Sequence, residues 1–177
     1  MKNLQELVYE FNEANGFPVN SLLLDKNGPA KKPLWVLWYI KIIGYLLLIL
    51  GRISVWVDKL TTKLGYRDPR IFRCHIMVDE LGEILVAMSN NDEIEVADGL
   101  ADLSYVLNGT AVLYNLPLET IFREVHRSNL TKGFVPGQDG RVKGLYRPAT
   151  YSPPNIKTAI IVGRKTKDGG TTDVIDN

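Results

Sequence analysis

The spacing of apolar residues divides the chain into helical segments of different kinds. Over residues 3–14, Leu4, Leu7, Val8 and Phe11 recur on one face, which predicts a short amphipathic helix ended by Gly16 and Pro18. Asn27 to Pro33 reads as a loop. Leu34 to Leu50 is then apolar at nearly every position, about as long as the shortest membrane-spanning helices. Ile71 to Met88 carries Met77, Leu81, Ile84, Leu85 and Met88 at helical spacing, and Ser89-Asn90-Asn91-Asp92 joins it to a second helix over Glu93 to Asn115. Pro117 suits the first turn of another helix, running to about Asn129 with Leu118, Ile121, Phe122 and Val125 on its apolar side. Gly133 to Ile161, rich in Gly and Pro, predicts an irregular tail, and residues 165–177 a frayed terminus. The pattern is that of an all-α chain.

Two helices carry spaced acids. Glu80 and Glu83 lie three apart on the first, and on the second Glu95, Asp98, Asp102, Tyr105 and Gly109 fall on one narrow stripe. Val96, Leu100, Leu103 and Leu107 cover one side of that stripe, and Ile94, Ala97, Ala101 and Val112 the other. A helix apolar almost all round predicts burial. Ionised carboxylates facing inward are costly unless a basic partner, protonation or a cation neutralises them. Oxygen donors converging from two helices suit Mg²⁺ or Mn²⁺. The opposing reading is a solvated acidic surface, with Asp92 and Glu95 forming a capping box and Asp79 exposed or in support.

Composition narrows the picture. With 177 residues, 45% hydrophobic and 23% charged, the chain is large enough for one globular domain with a proper core. A net charge of +1 gives no reason to expect a nucleic-acid polymer as partner. The one cysteine, Cys74, excludes an internal disulfide framework and fits a reducing, cytoplasmic setting, where it reads as a small buried hydrophobe. Met1 to Gly16 has no apolar h-region of a signal peptide. No internal repeat, zinc-type Cys/His spacing or Walker-type phosphate loop is present.

Three blocks occur in order: Asp79-Glu80-Leu-Gly-Glu83, Glu95-Val-Ala-Asp98-Gly-Leu-Ala-Asp102-Leu-Ser-Tyr105, and Glu124-Val-His126-Arg127-Ser128-Asn129-Leu-Thr-Lys132. Together they resemble the MazG-like and phosphoribosyl-ATP pyrophosphohydrolase-like all-α enzymes, over most of residues 1–24 and 68–160. The opening phrase Val8 to Val19 is similar to that family's first helix, which packs on the catalytic helices. The resemblance implies a Mg²⁺-dependent nucleoside triphosphate pyrophosphohydrolase that cuts between the α and β phosphates, releasing a monophosphate and pyrophosphate. It implies an all-α bundle over residues 1–164, completed by homo-oligomerisation as a dimer or larger.

The same resemblance implies metal binding by Glu80, Glu83, Glu95, Asp98 and Asp102, with Glu80 or Glu83 as the catalytic group at the attacking water. The family's ExxE…ExxD pattern fits in two registers. Glu95 and Asp98 match by spelling, whereas the Asp-Leu-x-Tyr ending fits Asp102 to Tyr105 and puts Gly99 where a Glu belongs. Substrate binding is expected of Tyr105, Arg127, Asn129 and Lys132. Lys143, in the ribbon-like Gln138 to Gly144, reads equally as a phosphate contact or a solvated lysine. His126 reads as structural, and the opposing reading of Arg127 is a surface residue favoured by a helix C-terminus. Phosphoribosyl-ATP as substrate is one alternative. Another is a non-catalytic membrane-associated or scaffold protein acting through residues 34–57.

The family pattern has a short connection where this chain has its apolar run, so about residues 30–66 read as an insertion. Trp35, Trp38 and Tyr39 resemble an interfacial aromatic belt, Lys31, Lys32, Arg52, Lys59 and Lys63 flank the run, and Lys41 interrupts it. Three readings stand: a spanning helix, an in-plane or hairpin anchor with Gly51 as hinge, and burial in the fold or an oligomer. Spanning would put residues 1–28 across the bilayer from the acidic helices, and Lys41 would add roughly 2.5–3.5 kcal/mol.

Overall fold

The computed structural model describes residues 2–15, 34–66, 68–136 and 142–167, in two compact units. The expected loop at 27–33, the ends of the first helix at Gly16 and Pro18, Lys31, Lys32, Gln138 to Gly140 and the terminus from residue 168 lie outside the described residues. Six α-helices and one two-stranded ribbon make up the described elements, in the order α1 (Leu4–Ala14), α2 (Leu34–Lys63), α3 (Pro69–Asn90), α4 (Glu93–Leu113), α5 (Leu118–Leu130), β1 (Gly133–Pro136), β2 (Val142–Tyr146) and α6 (Ile156–Lys167). The fold is all-α, as the periodicity predicts.

One unit comprises residues 22–112 and is built on α2 and α3. The two helices run antiparallel along each other. Lys41 Nζ donates to Asn90 Oδ1 at 3.1 Å at one end, while farther along α2 Gly51 lies against Asp79. Glycine makes this approach possible. A Cβ on Gly44 would come within 2.8 Å of Val86 Cγ2 and 3.0 Å of the Gly82 carbonyl oxygen, and one on Gly82 within 3.0 Å of the Gly44 oxygen and of Leu48. Real Cβ atoms essentially never sit inside 3.0 Å, so the backbones meet only because side chains are missing. Gly51 therefore does not act as the hinge of a hairpin. The helix runs through it unbroken for 30 residues, because the notch it leaves is filled by the Asp79 carboxylate.

Helix α3 starts at Asp68, whose side chain accepts the Arg70 amide at 2.9 Å, with Pro69 in the first turn. The Arg70 guanidinium holds the Asp68 carboxyl well below the usual carboxylate range. Asn91 ends α3 in the left-handed conformation, at φ 55°. The turn into α4 then uses Asp92, whose Oδ1 accepts the Glu95 amide at 3.2 Å, the half of the expected capping box that serves the helix start. Cys74, expected to be buried, is exposed on α3.

Helix α4 departs further from expectation. Its nearly continuous apolar sequence predicts burial, yet Ile94, Tyr105 and Val112 are 80%, 82% and 77% exposed. The reason lies in how it meets α3. The close contacts are Gly99 on Ile84 and Gly109 on Arg73, which use one face and leave Leu100, Leu107 and Val112 without cover in the single chain.

The other unit comprises residues 1–21 and 113–177. Asn3 and Glu6 form a reciprocal capping box at the start of α1. Phe11 of α1 meets the His126 ring of α5 edge-on, centroids 6.5 Å apart. The ribbon expected after α5 is present, β1 pairing antiparallel with β2. The irregular tail does not extend as far as predicted. After Pro153-Pro154, Asn155 Oδ1 accepts the Thr158 amide and starts α6, so the terminus expected to fray from residue 165 begins inside a helix. The signal was Ile156, Ala159, Ile160 and Gly163 at helical spacing, hidden by the Pro- and Gly-rich stretch before it.

The glycine contacts set the sign of a stability test. Alanine at an ordinary helical glycine stabilises by about 0.5–1 kcal/mol. Gly44→Ala is expected to destabilise instead, by about 1–3 kcal/mol, because the methyl group meets Val86 Cγ2 at 2.8 Å and also the Gly82 oxygen and Val86 amide of the backbone, which cannot turn away. Urea denaturation of the two proteins reads the sign directly.

Candidate active site

The acids predicted from the sequence come together along the α3–α4 pair. On α3, the Gly82 face lies on α2 while Ile84 lies on α4, so α3 stands between its two neighbours. Glu80 is half-buried on α3 and Glu83 exposed; on α4, Asp98 and Asp102 are exposed. Glu80 is the most perturbed of them. Its carboxyl is pushed above the usual glutamate range, first by burial and then by the negative charge of Glu83, Asp102, Asp79 and Asp98, in that order. Two helices thus aim carboxylates at one neighbourhood with no cation among the causes.

The same list of neighbours bears on the two registers. Asp98 and Asp102 both act on Glu80. Gly99 fills the position where the Asp102 register expects a glutamate, and the structure supplies the reason. A Cβ there would stand 2.6 Å from Ile84 Cγ1, so packing against α3 requires glycine. Glu95 lies in the first turn of α4, its amide capped by Asp92. Tyr105 is on the same stripe and 82% exposed.

Asp79 has a different surrounding from the solvated one expected. It is half-buried in the notch of Gly51, and His75 Nδ1 lies 3.3 Å from Asp79 Oδ2. No sequence signal paired these residues beyond their spacing of four. Among the described residues no three His, Cys, Asp or Glu side chains converge closely enough to hold a metal ion as they stand. The donor chemistry nevertheless fits a hard divalent cation, because the set is all carboxylate and Glu80 is left both desolvated and repelled.

The basic residues expected at the substrate belong to the other unit, at the end of α5. Arg127 is engaged in a clamp. Its Nε and Nη2 donate to the two Glu124 oxygens, each at 2.8 Å, and its Nη1 and Nη2 to Ser152 Oγ at 3.0 Å and the Pro153 carbonyl at 3.1 Å. Glu124 also accepts the Asn155 amide at 2.7 Å, which ties α5 to the start of α6. These bonds hold the Glu124 carboxyl down at about 2 and raise the Arg127 guanidinium. Beneath the clamp Ser128, only 1% exposed, lies 3.5 Å from the Tyr151 hydroxyl, and Thr131 Oγ1 accepts the Ser152 amide at 3.0 Å. Sequence reasoning missed this network, because the residues that join the Glu124–Arg127 pair and its neighbours, from Tyr151 to Asn155, lie more than twenty positions away. Asn129 and Lys132 are half-buried, the Lys132 amide donating to the Asn129 carbonyl at 3.1 Å. Lys143 lies on β2, and its side chain is outside the described residues.

Comparison with known proteins bears on the acids and on part of α5. Residues 56–129 match the model of a family described as phosphoribosyl-ATP pyrophosphohydrolase. No curated protein and no solved structure matches significantly. The family match takes in the whole acidic pair of helices and begins after most of the apolar run of α2.

Two consequences follow from the charges. A carboxyl raised in the folded state makes folding less favourable once pH exceeds the ordinary glutamate range, because ionising it costs more folded than unfolded. Metal-free Glu80→Gln is therefore expected to melt at a higher temperature than wild type at neutral pH, the gap closing in acid where both are uncharged. Glu124 has the opposite sign. Its depressed value means that its stabilisation is full above the ordinary glutamate range and is lost as pH falls toward about 2. Glu124→Gln is expected to be less stable than wild type at neutral pH and to converge with it at low pH, by thermal melts across the pH range.

Proposed function

We propose, on the match of residues 56–129 to a family described as phosphoribosyl-ATP pyrophosphohydrolase, that this chain is a Mg²⁺-dependent nucleoside triphosphate pyrophosphohydrolase of the MazG-like all-α superfamily, hydrolases acting on phosphoric anhydrides. It would cleave the α–β bond of an NTP or dNTP to a monophosphate and pyrophosphate. The observation that carries the reading is that α3 and α4 bring Glu80, Glu83, Asp98 and Asp102 into one neighbourhood, where burial and then the neighbouring charges raise the Glu80 carboxyl. Such a cluster of carboxylates is suited to bringing a cation and a phosphate chain together.

Glu80, Glu83, Asp98 and Asp102 would hold the metal, Mg²⁺ or Mn²⁺, with Glu95 as a further donor at the α4 start. Bound there, a divalent ion supplies neutralisation of phosphate charge and a lowered pKa for a water. The chain's own part is to place a carboxylate, Glu80 or Glu83, where it orients the attacking water and takes its proton. Asn129, Lys132 and Lys143 are the groups left for the nucleotide and its phosphates, with Tyr105 for the base or sugar, while Arg127 contributes through the clamp that fixes the end of α5. The apolar positions left open on α4 support completion of the bundle by a second copy of the chain.

The description of the matched family favours phosphoribosyl-ATP as a second substrate reading. Product analysis separates the two. With Mg²⁺ and a panel of NTPs, dNTPs and phosphoribosyl-ATP, wild type is expected to yield monophosphate and pyrophosphate. Glu83→Gln and Asp102→Asn, shown folded by circular dichroism, are expected to lose at least a hundredfold in kcat. Release of inorganic phosphate alone, or retention of activity in both variants, would overturn the assignment.

A further inference from the structure

Helix α2 has one face on α3 and the rest of its surface uncovered. The uncovered face is apolar along its whole length. Trp35, Trp38, Ile42, Ile49, Ile53 and Trp56 lie on it, all exposed. At about 100° per residue these positions form one stripe opposite Gly44 and Gly51, which meet α3. One border of the stripe is basic: Lys41, Arg52, Lys59 and Lys63 fall within a narrow sector on the same side. Lys41 is bonded to Asn90, and among the described residues Arg52, Lys59 and Lys63 are exposed with no carboxylate partner. The other border carries Ser54 and Thr61, whose hydroxyls donate to the carbonyls of Leu50 and Val57 at 3.1 and 3.0 Å and so need no water.

We propose that α2 is an in-plane membrane anchor, seated with its tryptophan-bearing stripe in the headgroup and acyl boundary of an anionic lipid bilayer. Its length and mean hydropathy of 2.0 would equally suit a crossing. Packing excludes that arrangement. Helix α3 runs along α2 from Lys41 past Gly51, so a crossing would carry the His75–Asp79 pair, Glu80 and Glu83 to bilayer depth. Lying flat, α2 buries its stripe and keeps α3 on the water side, with α3 between the stripe and the acids shared with α4.

The α2 of a second copy of the chain is the other candidate occupant, and charge selects against that pairing. A facing α2 brings to the border either the same cations or the neutral row of Ser54 and Thr61, and the one acid of α2, Asp58, lies on the α3 side. Anionic headgroups supply what the cations lack. This seat does not depend on the pyrophosphohydrolase reading and is read out without nucleotide.

All three tryptophans of the chain lie on the stripe, so its own fluorescence reports docking. Full-length protein is mixed with vesicles of phosphatidylcholine alone or with phosphatidylserine added. Emission is expected to shift to the blue with phosphatidylserine vesicles, to respond little to phosphatidylcholine alone, and to revert at high salt. Arg52→Glu/Lys59→Glu/Lys63→Glu, altered only at exposed positions, is expected to bind roughly a hundredfold more weakly, from the contribution of each cation near an anionic surface. Brominated lipids should quench single-tryptophan variants retaining Trp35 or Trp56 at the same shallow depth. Equal binding to both vesicle types, unequal depths with one tryptophan near the midplane, or blue emission in buffer that follows protein concentration and ignores vesicles would each overturn the proposal.

Discussion

The close approach of α2 to α3 through Gly44, Gly51 and Gly82 is the contact on which the acidic unit depends. Two helices whose side chains kept them at ordinary separation would leave Asp79 in water and α3 free to turn. At Gly44 and Gly82 backbone meets backbone, at Gly51 the Asp79 carboxylate enters, and the rotation of α3 is fixed to within what the Gly82 and Gly51 notches allow. That rotation decides what α3 offers on its far side: Ile84 for Gly99 of α4, and Glu80 for the carboxylates. A helix that reads as an insertion thus sets the orientation of one wall of the candidate site. Close-packed interiors transmit such constraints because they deform little.

Electrostatics works against stability in the same place. Glu80 stands partly desolvated among four other acids, whose charges raise its carboxyl further. Proteins keep such arrangements where binding a cation or a reacting group returns more than the arrangement costs. The clamp of Glu124 and Arg127 is the contrasting case. There opposite charges meet in bidentate geometry, the carboxyl is driven down, and the gain is spent on fixing the start of α6 rather than on chemistry.

The uncovered faces of α2 and α4 differ in what would satisfy them. That of α4 shares its helix with the acid stripe and has no basic border, which suits a protein partner. That of α2 has tryptophans, a row of cations and internally satisfied hydroxyls, which suits a lipid surface.

Local pattern determined a good part of this protein. The helical periodicities of α1, α3, α4 and α5 follow from spacing alone, because a helix turns at a fixed rate and a stripe is visible in one dimension, whereas the grouping of Glu80, Glu83, Asp98 and Asp102 and the ribbon after α5 come from the resemblance of sequence blocks to a known family. Tertiary structure decided the rest. Gly51 looked like a hinge and Gly99 like an irregularity, since a glycine's sequence carries no sign of what lies opposite it; each is a notch for a residue at least fifteen positions away. Arg127 matched a phosphate-binding pattern, and only the fold brought Ser152, Pro153 and Asn155 beside its pair with Glu124. The apolar run of α2 left a span, an in-plane or hairpin anchor and a buried helix open. The fold runs the helix unbroken through Gly51 and packs α3 on one face, which the sequence could not show because hydropathy sums over a helix while burial acts on its sides one at a time.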